Sequence, residues 1–216
     1  MGLGAGGFLF LWAAMMAAMM LPVVAPVAGL YATSLASGSR PAVRAARTGA
    51  LVAGYLAVWS ALGAAAYPAT LAGGWLARSH PDWSAWTASG IFAATAAYQL
   101  SPLRARCLTH CRAPFALLFR MTGSSAPLRD LRAGMLHGAI CTACCIPLML
   151  CLLALGAMSV GWMLALTLVV AAERRASRGD WVTRASVVGL LALAVAVPLH
   201  PGIAAGLHMP AAPMPM

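Results

Sequence analysis

The chain contains no lysine. Its fourteen basic residues are all arginine, and only Asp82, Asp130, Glu173 and Asp180 oppose them. Charged residues make up 8% of the 216 positions, against about a quarter in a soluble domain, and that scarcity excludes a soluble globular domain. Without lysine there is no Walker motif, and no Rossmann or hydrolase-type motif appears. Any active transport would therefore need an energy source other than ATP bound by this chain. The formal net charge of +10 is of the kind that nucleic-acid binders carry. The arginines, however, cluster between apolar runs rather than along one stripe, which excludes that reading. What is abundant is apolar: 62% of the chain is hydrophobic, the composition of an integral membrane protein.

A spanning helix needs ~20 mostly apolar residues. Six stretches qualify: Phe8 to Tyr31, Thr48 to Leu71, Trp83 to Leu100, Ala133 to Leu155, Met158 to Ala172 and Ala185 to Leu199. The break between the fourth and fifth rests only on Gly156, Ser159 and Gly161 as turn formers, and a tight hairpin is expected there. The start MGLGAGGFLF has no basic segment, so the first helix is expected to act as the insertion signal.

The arginines alternate loop by loop. Arg40, Arg44 and Arg47 follow the first span. The second loop has Arg78 offset by Asp82. The third holds Arg104, Arg106, Arg112, Arg120, Arg129 and Arg132, and the fifth holds Arg174, Arg175, Arg178 and Arg184. The positive-inside rule puts these three arginine-rich loops in the cytoplasm and both termini outside. Asp130 and Glu173 then read as topology or capping residues at cytoplasmic helix ends. The expected fold class is all-α: a polytopic membrane helix bundle of about six transmembrane helices. Residues 1–199 form one domain, and 200–216 form a short His/Met/Pro-rich outer tail.

Four of the six cysteines lie in HGAICTACCIPLMLC. At 100° per residue, His137, Cys141, Cys144, Cys145 and Cys151 share an arc of about 120° along ~21 Å of helix rise. Pro147 lies within this ladder and cannot supply the usual backbone donor to Ala143. One buried cysteine is commonly just a small hydrophobe; four on one face with a histidine suggest ligands or redox thiols. Gly134 and Gly138 form a small-xxx-small pair that points to close helix packing.

The first helix carries Met15, Met16, Met19 and Met20 over about 140° of its surface. Counted from opposite ends of their helices, the methionines and Cys141 to Cys145 fall at matching depth near the midplane. Any single methionine is a good gap filler. As a set facing thiols they form soft donors, which select Cu(I); thiolates alone also suit Zn(II), but thioethers do not, so zinc is the weaker reading. The tail adds His200, His208, Met209, Met214 and Met216, which fit either copper capture or a floppy proline-rich end. In the third loop, RARCLTHCRAP offers Cys107, His110 and Cys111. If this segment is helical, the two thiols share a face. The neighbouring arginines favour thiolate, so these residues read as a second, bis-thiolate Cu(I) site at the cytoplasmic surface.

Taken together, WAAMMAAMMLP, YQLSPLRARCLTHCRAP, HGAICTACCIPLML and GAMSVGWM followed by Glu173 resemble the DUF2182 family of bacterial predicted metal-binding integral membrane proteins. The resemblance covers nearly the whole chain. Family members commonly show Gly-Cys-Cys-Trp where this chain has ACCI; the thiols are kept and their packing changes. The resemblance implies metal binding by these residues in a bacterial cytoplasmic (inner) membrane. Three functions compete. The first is Cu(I) handling, by transport, transfer or delivery to a copper chaperone or copper enzyme. The second is a transmembrane thiol–disulfide relay through the helix-four cysteines. The third is a non-catalytic assembly subunit. The first is favoured, a binding protein rather than an enzyme, because methionine cannot form a disulfide and no cysteine lies in an outer loop.

Overall fold

The computed structural model describes residues 4–36, 38, 40–112, 128–156, 159–175, 180–200 and 203. The described residues are helical, with no strand. Seven helices follow in order: α1 (Ala5–Ser34), α2 (Pro41–Ser79), α3 (Pro81–Gln99), α4 (Pro102–Arg112), α5 (Arg129–Leu155), α6 (Val160–Arg175) and α7 (Asp180–Leu199). Each of the six apolar stretches in the sequence coincides with one of these helices. The addition is α4, which the sequence reading left in a loop. Gly156, at a positive φ of 107°, ends α5 in the left-handed conformation that glycine adopts without penalty. Among the described residues, four helical stretches are long and apolar enough to cross a membrane: α1, α2, α5 and Trp181–Leu199 of α7. His208, Met209, Met214, Met216, Arg120, Arg178 and the Met158 start of the fifth stretch lie outside the described residues.

The chain divides into two compact units. Met1–Tyr67 with Leu103–Cys145 makes the first, and Pro68–Pro102 with Ile146–Met216 the second. Each crossing falls at or beside a proline: Pro68, Pro102 and Pro147. Proline removes a backbone donor from a helix interior, so the helical ladder is interrupted where α2 and α5 pass from one unit to the other.

In the first unit, α1 runs antiparallel to α2. The Phe8 ring lies 5.2 Å from that of Tyr67, and Trp12 Nε1 donates to the Trp59 carbonyl at 3.0 Å. At the other end Arg47 reaches Tyr31 Oη at 3.1 Å. The Trp12 indole occupies the notch left by Gly63, where a Cβ would stand 2.6 Å from the ring. The α2–α5 contact is closer still. A Cβ on Gly134 would lie 1.9 Å from the Leu51 carbonyl oxygen, and one on Gly54 would lie 2.1 Å from that of Leu131. These helices touch backbone to backbone, the packing that small residues permit in membranes, and the Gly134/Gly138 pair has the packing role read from the sequence.

In the second unit, α3 and α7 lie antiparallel. Ser89 Oγ donates to the Ala194 carbonyl at 2.6 Å, and Gln99 Nε2 reaches Ser186 Oγ at 3.5 Å. The reading of Glu173 as a helix-end topology residue needs correction. Its side chain is buried and accepts hydrogen bonds from Gln99 Nε2 at 3.4 Å and Ser186 Oγ at 3.1 Å. Its place near the end of α6 suggested an exposed cap; the α3 and α7 polar groups that cover it come from far away in sequence.

Candidate metal centre in the first unit

A polar cluster marks one end of the first unit. Asp130, in the first turn of α5, accepts from Arg47 Nε at 3.0 Å and from the Tyr31 hydroxyl. Arg129 stands 3.6 Å away. An acidic residue in a helix's first turn complements the helix dipole, which agrees with the capping reading of Asp130. The sequence did not show that Arg47 and Tyr31 come to meet it from two other helices.

Fourteen residues further along α5, or ~21 Å by helix rise, Cys144 meets α4. Cys111 Sγ lies 3.4 Å from Cys144 Sγ, and both side chains are buried. All six cysteines are free thiols. Metal–thiolate bonds of ~2.3 Å in a tetrahedral site hold sulfurs about 3.8 Å apart. The observed pair would need to open by only a few tenths of an ångström to hold an ion.

This contact revises the reading of the third loop. The sequence reading gave Cys107 and Cys111 a site of their own at the cytoplasmic surface; the structure seats Cys111 against the α5 ladder. The reason lies in α4 itself. Arg104, Leu108 and Cys111 are its buried residues, spaced i, i+4 and i+7, the pattern of a helix that turns one stripe inward. The arginines of this segment lower its average hydropathy and hide that stripe. Cys107, one turn before Cys111, is half-buried. His110 is exposed, with Nδ1 2.8 Å from the Arg106 carbonyl. A carbonyl only accepts, so Nδ1 carries a proton, and in the neutral ring Nε2 is the nitrogen with the lone pair.

On α5, Cys141 Sγ lies 3.0 Å from the Tyr55 hydroxyl, and the His137 ring stacks on that of Tyr55 with centroids 5.7 Å apart. Tyr55, His137, Cys141 and Cys145 are all buried. Sequence reasoning missed Tyr55 because an aromatic residue in an apolar helix carries no mark of its neighbour three helices away in the chain. Cys151 lies in the second unit, where its thiol meets Thr95 Oγ1 at 3.3 Å. The ladder on one face of α5 thus has different partners at different heights.

The methionines follow from the helix registers. Trp12 packs at Gly63 on α2, and Tyr31 meets Arg47. Leu51 and Tyr55 of α2 touch Gly134 and Gly138 of α5. Continuing these registers puts Met16 and Met19 level with about residues 140 to 143 of α5, by helical rise. Met16, Met19 and Met20 are buried, and Met15 is half-buried. Among the described residues, no three His, Cys, Asp or Glu side chains converge on one point.

Comparison with curated proteins and with solved structures gave no match. The sequence model of the copper chaperone family, PpoB2, matches residues 9–197, from α1 through α7. That span takes in the methionine stripe, both α4 cysteines and the whole α5 ladder, and the chain belongs to this copper chaperone family.

Proposed function

We propose that the chain holds Cu(I) within the bilayer of a bacterial cytoplasmic membrane and hands it on to a copper-requiring protein. Cys111 and Cys144 would form the primary ligand pair, and Cys141 the adjoining thiol. The observation that carries the proposal is the buried 3.4 Å approach of two thiols from separate helices. Cu(I) is a soft ion that thiolate and thioether sulfur select. A closed zinc site would need four ligands from Cys, His or carboxylates, and no three of these converge among the described residues. Met16 and Met19 are the thioether donors at the right level. Cys107 and His110 stand nearer the surface of α4, where an incoming ion would meet sulfur and an imidazole lone pair first. Tyr55 would hold Cys141 in place from behind, the role of outer partners around metal ligands.

Binding of Cu⁺ by a thiol releases the thiol proton, so loading should strengthen as pH rises. X-ray absorption on the reduced, copper-loaded protein is the test. Sulfur is expected as the nearest neighbour. Cys111→Ser and Cys144→Ser should each weaken binding at least tenfold, whereas Cys107→Ser should retain the bound ion and slow its uptake. Nearest neighbours that are only oxygen and nitrogen, or a Cys111→Ser, Cys144→Ser double variant that binds like the parent, would overturn the assignment.

A further inference from the structure

The second unit carries exposed tryptophans at two heights. Trp75, Trp83 and Trp86, exposed at 58, 70 and 66%, flank the turn between α2 and α3. Trp181, at 70%, stands in the first turn of α7. Because α3 and α7 are antiparallel, with Ser89 against Ala194 and Gln99 against Ser186, Trp83 falls level with the far end of α7. The two tryptophan levels are then about 20 residues apart along α7, or ~30 Å by helix rise. The hydrocarbon core of a bilayer is ~30 Å thick, and tryptophan concentrates at both of its interfaces.

Between these levels α7 presents Val188, Leu191 and Val195 outward, and α3 presents Gly90, Ala93, Ala94 and Ala97. Of the polar residues of α3, Thr87 is exposed and bonds within its own helix, to the Trp83 carbonyl at 2.7 Å, whereas Ser89, Thr95 and Gln99 are turned the other way. Ser89 and Gln99 bond to α7, and Thr95 Oγ1 donates to the Ile91 and Pro147 carbonyls. These inward groups explain why α3 falls short of a spanning helix by mean hydropathy while its outer surface is suited to lipid. Polar side chains bonded between helices are a regular feature of membrane bundles.

We infer that the two tryptophan levels are the two interfaces of the bilayer, that α3 and α7 both span it, and that Cys151 lies in its interior. The occupant of the exposed face is lipid, because the spacing of the levels matches a hydrocarbon core and the surface between them is apolar. Thr95, the partner of Cys151, is level with about residue 189, or ~12 Å from the Trp181 level by rise. This inference deepens the membrane component of the proposed function, and it rests on that reading.

The test uses the full chain labelled with 5-fluorotryptophan in phosphatidylcholine nanodiscs. The fluorine resonances lost in Trp83→Phe and in Trp181→Phe assign the two levels. Lipids spin-labelled at the headgroup or at acyl carbon 5 should broaden both resonances at least threefold more than lipids labelled at carbon 16. Strongest broadening from carbon 16, or none from any label, would overturn the inference. Sidedness is read with an impermeant maleimide on intact bacterial cells, against the unsubstituted chain as background. His80→Cys should label at once, and Trp181→Cys only after permeabilisation; labelling of both from one side would overturn it. Cu(I) content measured on the same nanodiscs separates the two readings. Bound copper without interfacial broadening refutes the two-level anchor and leaves the metal centre standing.

Discussion

Gly134→Ala should damage the proposed metal centre without touching a proposed ligand. The added methyl would stand 1.9 Å from the Leu51 carbonyl oxygen and 2.8 Å from its carbon. Both are backbone atoms, so no side chain can swing aside. Since real Cβ contacts essentially never fall under 3.0 Å, α2 and α5 must part by roughly 1 Å, a displacement that close-packed interiors resist. Overpacking of this kind costs about 1–3 kcal/mol. The same movement stretches the Tyr55 hydroxyl contact with Cys141 from 3.0 Å to about 4 Å, the outer limit of a hydrogen bond to sulfur, a loss of up to about 1 kcal/mol. Alanine's better helix propensity returns roughly 1 kcal/mol, leaving a net loss of about 1–3 kcal/mol. Cu(I) affinity should drop about tenfold, as when the outer partner of a metal ligand is removed. Thermal unfolding in detergent and competition with a chromogenic Cu(I) chelator measure the two effects. Gly49→Ala is the control, because its Cβ meets nothing within 4 Å; it should be neutral or gain up to about 1 kcal/mol. If Gly134→Ala behaves like Gly49→Ala in both assays, the backbone contact does not set the site.

Replacing Met15, Met16, Met19 and Met20 together with leucine should keep stability within ~1.5 kcal/mol per site, since the volumes are similar, while lowering Cu(I) affinity. Unchanged affinity and stoichiometry would make the methionines core filler. Asp130→Asn should weaken the link between α1, α2 and α5, because Arg47 loses the carboxylate it bonds at 3.0 Å with both side chains largely covered. Hydrogen bonds to charged groups are worth about 1.5–3 kcal/mol; an unfolding midpoint equal to the parent's would show that the cluster contributes nothing to stability.

Helix positions were legible because lipid imposes a simple rule, and a long apolar stretch satisfies it by composition alone. The break at Gly156 was readable for the same reason: an apolar run too long for one span must turn at a residue that tolerates positive φ. The ladder on α5 could be read because helical periodicity gathers residues of one helix onto one face. Contacts between helices were not legible. Nothing in the spacing of α4 says that Cys111 meets Cys144, since that depends on how a segment with several arginines turns its buried stripe. Tyr55 at Cys141 and Gln99 at Glu173 depend on registers between helices, and those registers are set by glycine notches and indole packing rather than by period.

The first unit is built from two stretches, Met1–Tyr67 and Leu103–Cys145, separated by part of the second. During synthesis at ~5–20 residues per second, about 4 to 16 s separate the emergence of Tyr67 from that of Cys145. Through that interval the α2 surface at Leu51, Gly54 and Tyr55 has no α5 to receive. The methionine stripe is made first and the thiols last, so a nascent chain cannot assemble the sulfur set. On the proposed function, metal capture is thereby ordered late: the thiol pair forms only when the fifth helix docks, and a ribosome stalled before Cys144 leaves α1 to α4 without the pair that would hold copper.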